Sequence, residues 1–210
     1  MRELIRPLKI VALTLAIPIV PFLFFGNALE ARVQSLLDPP PGPATIAGLV
    51  VGVLATDIFL PVPSSAVCTV AGASLGVVVG AAASFCGMTL GSVFGYWLAL
   101  RYGRAIASRF AGESDLEKIE SVAARFGPGL LLLLRPLPVL AEASVLIFGT
   151  VRLGWRRFLP PVVAGNLAIA IIYALLGWYA SEKSYLPPAI VVSMAVPVLL
   201  TEAVRRRMAR

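Results

Sequence analysis

The chain of 210 residues contains no histidine and little charge. Without histidine there is no Ser-His-Asp triad and no histidine-based metal centre. Charged residues make up 14% of the chain, against about 25% in an ordinary soluble domain. Cysteine is scarce as well: Cys68 and Cys86 both lie inside apolar runs, where they read as small packing residues rather than a disulfide or a metal pair. No Walker lysine motif and no GxGxxG occurs, which leaves ATP-driven transport by this chain alone without support. What is abundant is apolar side chain, at 59% hydrophobic residues and a mean hydropathy of +0.90. That composition demotes a soluble enzyme, a nucleic-acid binder and a disordered regulator together. The net charge of +7 alone would suit nucleic acid, but the basic residues gather at the ends of apolar runs, as they do in oriented membrane proteins. The expectation is an integral membrane protein whose partners are membrane lipids, with no nucleic acid, no cofactor and no metal.

Proline, glycine and charge cut the apolar sequence into runs. Residues 8–26 form the first, preceded by Arg2, Arg6 and Lys9 and interrupted by Pro18 and Pro21. Its 19 residues fit a kinked spanning helix or a secretory signal cleaved after Ala28, and the two prolines favour a retained span. Either way residues 27–43, ending in Pro39-Pro40-Pro41-Gly42-Pro43, form an external loop. Residues 44–100 are 57 positions with a single charge, Asp57. Pro61 and Pro63 break this stretch, because each removes a backbone donor and disfavours helix just before it. With a second break near Gly80 the pieces are about 17, 15 and 20 residues, at or below spanning length. They make either three tight spans or a re-entrant hairpin followed by one span. Non-helical backbone survives at membrane depth only inside protein or along a cavity. A proline break beside an acid and two serines, Ser64 and Ser65, therefore reads as a site. Gly72, Gly76 and Gly80 form one row at a spacing of four, and Gly87, Gly91 and Gly95 another; each is expected on one helix face as plain packing.

The longest polar stretch is 101–127. Within it Ser114-Asp115-Leu116-Glu117 is a capping-box pattern, and Leu116, Ile119, Ala123 and Phe126 share a face before the stop at Gly127-Pro128. An amphipathic interfacial helix follows from that pattern. Residues 128–149 are apolar again except for Arg135 and Glu142, and Pro136 and Pro138 break them. Arg152, Arg156 and Arg157 come next, then spans at 158–180 and 186–204, then Arg205, Arg206, Arg207 and Arg210.

Basic clusters belong on the cytoplasmic side. Those at 2–9, 101–125, 152–157 and 205–210 share that side only if 128–149 enters and leaves by one face, with Pro136 and Pro138 at its turn. Analogy between the two proline breaks favours a matching hairpin that enters from outside. The expected fold is thus an all-α integral membrane protein with about four transmembrane helices, two opposed re-entrant helical hairpins and an amphipathic interfacial helix. It is expected to be multi-pass in the cell membrane, both termini cytoplasmic. Residues 1–43 form an N-terminal helix and external loop, 44–180 a membrane domain, and 181–210 a C-terminal helix and basic tail. Inverted-repeat transporters likewise place their sites near the midplane on broken helices.

Several of these residues stand in a recognisable order. Asp57-Ile-Phe-Leu-Pro-Val-Pro-Ser-Ser65, Ala71-Gly72 with Leu75-Gly76, and Gly91-Ser92-Val-Phe-Gly95-Tyr96 with Arg101-Tyr102-Gly103-Arg104 resemble the DedA family. These are also called VTT-domain, or SNARE-associated Golgi protein-like, membrane proteins. Phe126-Gly127, Arg135-Pro-Leu-Pro138, Gly149, Phe158, Gly165-Asn166 and Gly177 continue the likeness, which covers residues 44–180. The Pro-x-Pro break with its acid and the Arg-x-x-Pro are its most specific parts. The resemblance implies four spans with two facing hairpins. It also implies lipid movement between leaflets: undecaprenyl phosphate recycling coupled to the proton gradient in bacterial members, phospholipid scrambling in eukaryotic relatives. The chain departs from the bacterial pattern where Ser64-Ser65 replace Gly-Glu, where Gly91-Ser92 replace Gly-Asp, and where Ala141, beside Glu142, replaces the second arginine of Arg-x-x-Pro-x-x-Arg.

Among single residues Arg135 stands out. An arginine near a helix centre costs about 2.5–3.5 kcal/mol to insert, so it needs a partner or a use. Its planar fork suits a phosphate or carboxylate; the plainer reading is an ion pair with Glu142 or Asp57, and a substrate phosphate could displace that pair. Asp57 is a candidate proton carrier or a cap for the broken helix. Glu142 can do either job. Ser64 and Ser65 offer hydroxyls to a headgroup or satisfy unwound backbone. Arg152, Arg156 and Arg157 read as topology determinants, and Asn166 as interhelical glue. The function expected is a transporter moving a phosphate-bearing lipid, a polyprenyl phosphate or a phospholipid, between leaflets. Arg135, Ser64 and Ser65 would bind it, Asp57 and Glu142 would couple protons, and Pro61, Pro63, Pro136 and Pro138 would break the helices. Alternatives are a small-ion or small-solute transporter using the same site and a non-transporting assembly factor. A homo-oligomer is compatible with each. An enzyme is not expected, since no nucleophile–base pair or paired-carboxylate metal signature is present.

Overall fold

The computed structural model describes residues 41–58, 62–105, 121, 127–183 and 185–208. The run at 8–26 with its cleavage alternative, Pro61 and the interfacial helix expected over 114–126 lie outside the described residues. All regular structure among the described residues is helical, without strands. In chain order these are α1 (Pro43–Ala55), α2 (Ser64–Leu98) running into a π-helical turn (Ala99–Gly103), α3 (Gly129–Leu134), α4 (Pro138–Thr150), α5 (Trp155–Glu182) and α6 (Leu186–Met208).

α2 is not one rod. Gly76 has φ 77° and ψ 173°, a conformation that a residue with a Cβ adopts at a cost. There the chain doubles back. A methyl group on Gly80 would sit 2.7 Å from the carbonyl oxygen of Ala71 and 2.8 Å from the amide nitrogen of Gly72, nine and eight positions earlier in the chain. Cys68 is likewise brought beside Ser84. The short arm, 64–75, therefore lies antiparallel against the long arm, 77–98, with Gly76 as the turn. The row Gly72, Gly76 and Gly80 consequently does not occupy one helix face, as the spacing of four had suggested. Gly76 makes the reversal, while Gly72 and Gly80 let backbones touch on either side of it. The second break also falls at Gly76 rather than near Gly80.

The other row does pack as expected. A Cβ on Gly87 would meet Leu54 and Val51, and one on Gly91 would meet the carbonyl oxygens of Leu54 and Ala55 at 2.9 and 3.1 Å. Gly95 lies under the Ile58 side chain. Contacts whose residue numbers rise together on both helices mean that α1 runs parallel to the long arm. Its first turn lies towards Gly76 and its last towards the middle of the arm. The next pair of helices comes from the other end. Gly103 packs on Thr150, and Gly149 on Ala99 and the backbone of Tyr96 and Leu100. The end of α4 thus lies at the π-helical turn, and its start points back towards the middle of the arm.

α5 ties both pairs together. Gly177 and Ala174 meet the backbone of Thr69 and Gly72, Gly165 meets Arg135 and Leu132, and Phe158 stacks on Tyr96 with ring centroids 3.9 Å apart. One apolar core, with Leu54, Cys68, Ala71 and Ala174, sits around the short arm. A second, with Tyr96, Phe148, Phe158 and Val162, sits around the π-helical turn. The outer faces are also apolar: Val78 is 80% exposed and Ile172 60%. Ser64–Gly103 and Trp155–Glu182 are long and apolar enough to cross a membrane by length and composition. For the first, the part beyond the Gly76 turn, residues 77–103, rises about 40 Å.

Candidate functional site

Both proline breaks end up at the same level of the long arm. At the first, α1 stops after Ala55, and Thr56 bonds back to the carbonyls of Gly52 and Val53 through its amide and hydroxyl. Pro63 then stands at the N-terminus of the short arm, where a missing amide hydrogen costs no helix bond. Asp57 lies within this break, beside the Val62 amide and the Ser64 hydroxyl. At the second, α3 is halted by Pro136, Leu137 is extended at φ −107° and ψ 99°, and Pro138 opens α4. Arg135 is the last residue before that turn.

A cavity of about 150 Å³ lies between the breaks. Asp57, Ser64 and Ser65 line it from the first break, Arg135 and Glu142 from the second, and Ser92 from the long arm. Every charged and hydroxyl residue that the sequence marked for binding or proton coupling therefore shares one cavity. Pro136 lines it as well. Pro63 and Pro138 set its walls by starting the helices that follow each break. The volume is well below the roughly 300 Å³ of pockets that enclose a whole drug-sized ligand.

Arg135 is 8% exposed. Its stem lies against Gly165, where a Cβ would come within 2.9 Å of the arginine Cγ. Its Nε donates to Asn166 Oδ1 at 2.5 Å and its Nη2 to Ser92 Oγ at 2.6 Å. Both acceptors are anchored in turn. Ser92 donates to the Met88 carbonyl at 2.6 Å, and Asn166 Nδ2 donates to Thr89 Oγ1 at 3.1 Å. The third nitrogen, Nη1, is buried with no hydrogen-bond partner among the described residues. The ion pair weighed from sequence is thus replaced by bonds to neutral groups. Asp57 and Glu142 act on the guanidinium through their charge, and on each other in the same way.

Sequence reasoning missed the parts that only tertiary structure assembles. Ser92 departs from the bacterial pattern, and the sequence alone assigns it no partner. The sequence reads Asn166 as glue, and it does bridge helices, to Thr89 on the long arm and also to Arg135. Thr89, Tyr173 of α5 and Pro197 of α6, the last two also on the cavity wall, carried no signal at all. Among the described residues no group of three or more His, Cys, Asp and Glu converges as a metal site.

Long apolar helices with apolar outer faces, wrapped around a cavity that holds an arginine and two acids, define an α-helical membrane protein. The VTT domain matches residues 62–179, more than half of the chain, and the chain belongs to the VTT-domain (DedA) family. No curated protein and no solved structure matches it.

Proposed function

We propose that the protein moves a phosphate-bearing lipid, a polyprenyl phosphate or a phospholipid, between the leaflets of the cell membrane. In this reading α1 with the short arm of α2, and α3 with α4, are re-entrant hairpins that enter from opposite faces. Of the described helices, the long arm, α5 and α6 span. The basic ends face the cytoplasm. The observation that carries the reading is the convergence of the two breaks on one cavity, with Arg135 on one side and Asp57 on the other. A cavity that holds charged and hydroxyl side chains, reached by broken helices from both faces, gives a headgroup a place to rest halfway, while the acyl chains stay in lipid along the apolar outer faces. Arg135 holds the phosphate, Ser64 and Ser65 offer hydroxyls, and Asp57 or Glu142 takes up the proton that balances the charge. Binding the headgroup repays the cost of an arginine buried with one nitrogen unpaired, which is about 1–3 kcal/mol or more for a charged donor.

The test is leaflet exchange in proteoliposomes, comparing a labelled polyprenyl phosphate with a labelled phospholipid, with and without a pH gradient. Arg135→Gln is expected to insert and fold yet exchange neither lipid. Normal exchange by that variant overturns the reading. Solute uptake without lipid movement would move the assignment to a small-solute transporter built on the same cavity. A gradient-dependent rate identifies a proton-driven flippase, and a gradient-independent one a passive scramblase.

A further inference from the structure

A buried arginine in apolar surroundings is normally neutralised by a carboxylate in direct contact. Arg135 is not. The two groups that bind its fork, Asn166 Oδ1 on Nε and Ser92 Oγ on Nη2, are neutral, and the two acids that share its cavity reach it only through space. Asn166 is fully buried and uses both ends of its amide: the oxygen takes Arg135 and the nitrogen is tied to Thr89 on the long arm. An aspartate is the same size, would accept the same bond more strongly, and would cancel the charge. The chain holds an amide there instead.

We infer that Asn166, seconded by Ser92, is a specificity-determining positioning residue, which aims Arg135 through a neutral contact so that its positive charge is left for an anionic phosphate headgroup. The inference rests on the proposed lipid-phosphate function for its substrate class, though not for its geometry. Nη1, buried and without a partner among the described residues, is the donor still open to the ligand after Nε and Nη2 are engaged. A bidentate grip uses one edge of the fork at a time, and here the side edge serves positioning while the end remains available.

The experiment uses the purified full chain. Its thermal unfolding is followed with and without a short-chain phosphatidic acid held below its micelle concentration, alongside the leaflet-exchange assay. A ligand bound by the folded state raises its stability in proportion to occupancy. Wild type is expected to show the upward shift. Asn166→Asp is expected to unfold at the same temperature or higher without ligand, because its bond to Arg135 is charge-assisted, and to lose the shift and at least tenfold in exchange. Asn166→Ala leaves the arginine uncompensated but unaimed, so it is expected to keep the shift and lose about tenfold in exchange. If Asn166 only holds helices together, Asn166→Asp keeps both shift and exchange, and that result overturns the inference. Should Asn166→Asp fail to fold, Asn166→Ala decides: loss of both properties, or of neither, overturns it. The underlying reading fails separately. A shift that is present in wild type and absent in Asn166→Asp, with no exchange by wild type, would retain the anion cradle and discard lipid translocation.

Discussion

At the scale of single residues, the protein depends on positions where a side chain would be in the way or under strain. Gly76 is the sharpest case, since its φ of 77° reverses the chain within one residue. That region, at positive φ with ψ near 180°, is essentially open to glycine alone, and a residue with a Cβ held there costs on the order of 1–3 kcal/mol. Gly76→Ala is therefore expected to lower the unfolding temperature of the detergent-purified protein. Gly48→Ala, on a helix with nothing within 4 Å of the new methyl, is expected to leave it unchanged or raise it slightly, because alanine is the better helix former. Equal behaviour of the two would mean that Gly76 does not form the turn. Arg135 is the opposite kind of residue, one whose long side chain is buried and closely surrounded. Gly165 clears space for its stem, and Ser92 and Asn166 take two of its three nitrogens. The sequence already marked Arg135, because an arginine among 128–149 has to be accounted for by energy alone. Its neutral partners lie 43 and 31 positions away, and no periodicity or spacing reports a contact at that range.

At the scale of elements, proline made the breaks legible and glycine concealed the reversal. Pro63, Pro136 and Pro138 act through covalent structure, since each lacks the amide hydrogen that a helix interior uses, although Pro160, Pro161 and Pro197 are carried inside α5 and α6. The sequence therefore already places Asp57, Ser64, Arg135 and Glu142 beside breaks. Gly76 belongs to a run in which glycine recurs every four residues, and the same spacing serves both a packing face and a turn. Only the backbone conformation separates them. The packing row 87, 91 and 95 has a definite consequence for the site, because it sets how closely α1 approaches and so where Asp57 is delivered. Gly91→Leu would drive a side chain into the carbonyls of Leu54 and Ala55, backbone atoms that cannot turn aside. It is expected to displace the first break from the cavity and to reduce lipid exchange more than tenfold, with helix content by circular dichroism retained. Gly52→Leu, on α1 itself but with open space around it, is the control and is expected to exchange normally. A loss in both variants would show that α1 tolerates no bulk anywhere, and would remove the link between this glycine row and the site.

For the whole molecule the question is which ends of the helices lie together. The contacts run α1 parallel to the long arm and bring Pro43 and Gly76 to one end, with the end of α5 near Thr69 and Ala73. They bring Gly103, Thr150 and Trp155 to the other. The exposed Arg101, Arg152, Arg156 and Arg157 all flank that second end, where positive-inside bookkeeping had put the cytoplasm. Three tight spans over 44–100 would instead carry the break at Pro63–Ser65 across to the arginine side. Single cysteines in a background lacking Cys68 and Cys86 separate the two arrangements, when a membrane-impermeant thiol reagent is added from one side or after permeabilisation. Cysteine at Gly42 or at Glu182 is expected to react from outside, and cysteine at Arg156 only after the cytoplasmic face is opened. Cysteine at Ser64 is expected to react slowly and from the side to which the cavity opens. Phosphate-bearing short-chain lipid should protect it, since Ser64 lines the same cavity as Arg135. Fast, unprotected labelling of Ser64→Cys from the cytoplasmic side would place the first break in water. The two hairpins would then not meet inside the bilayer, and the shared cavity could not serve as a halfway station for a headgroup.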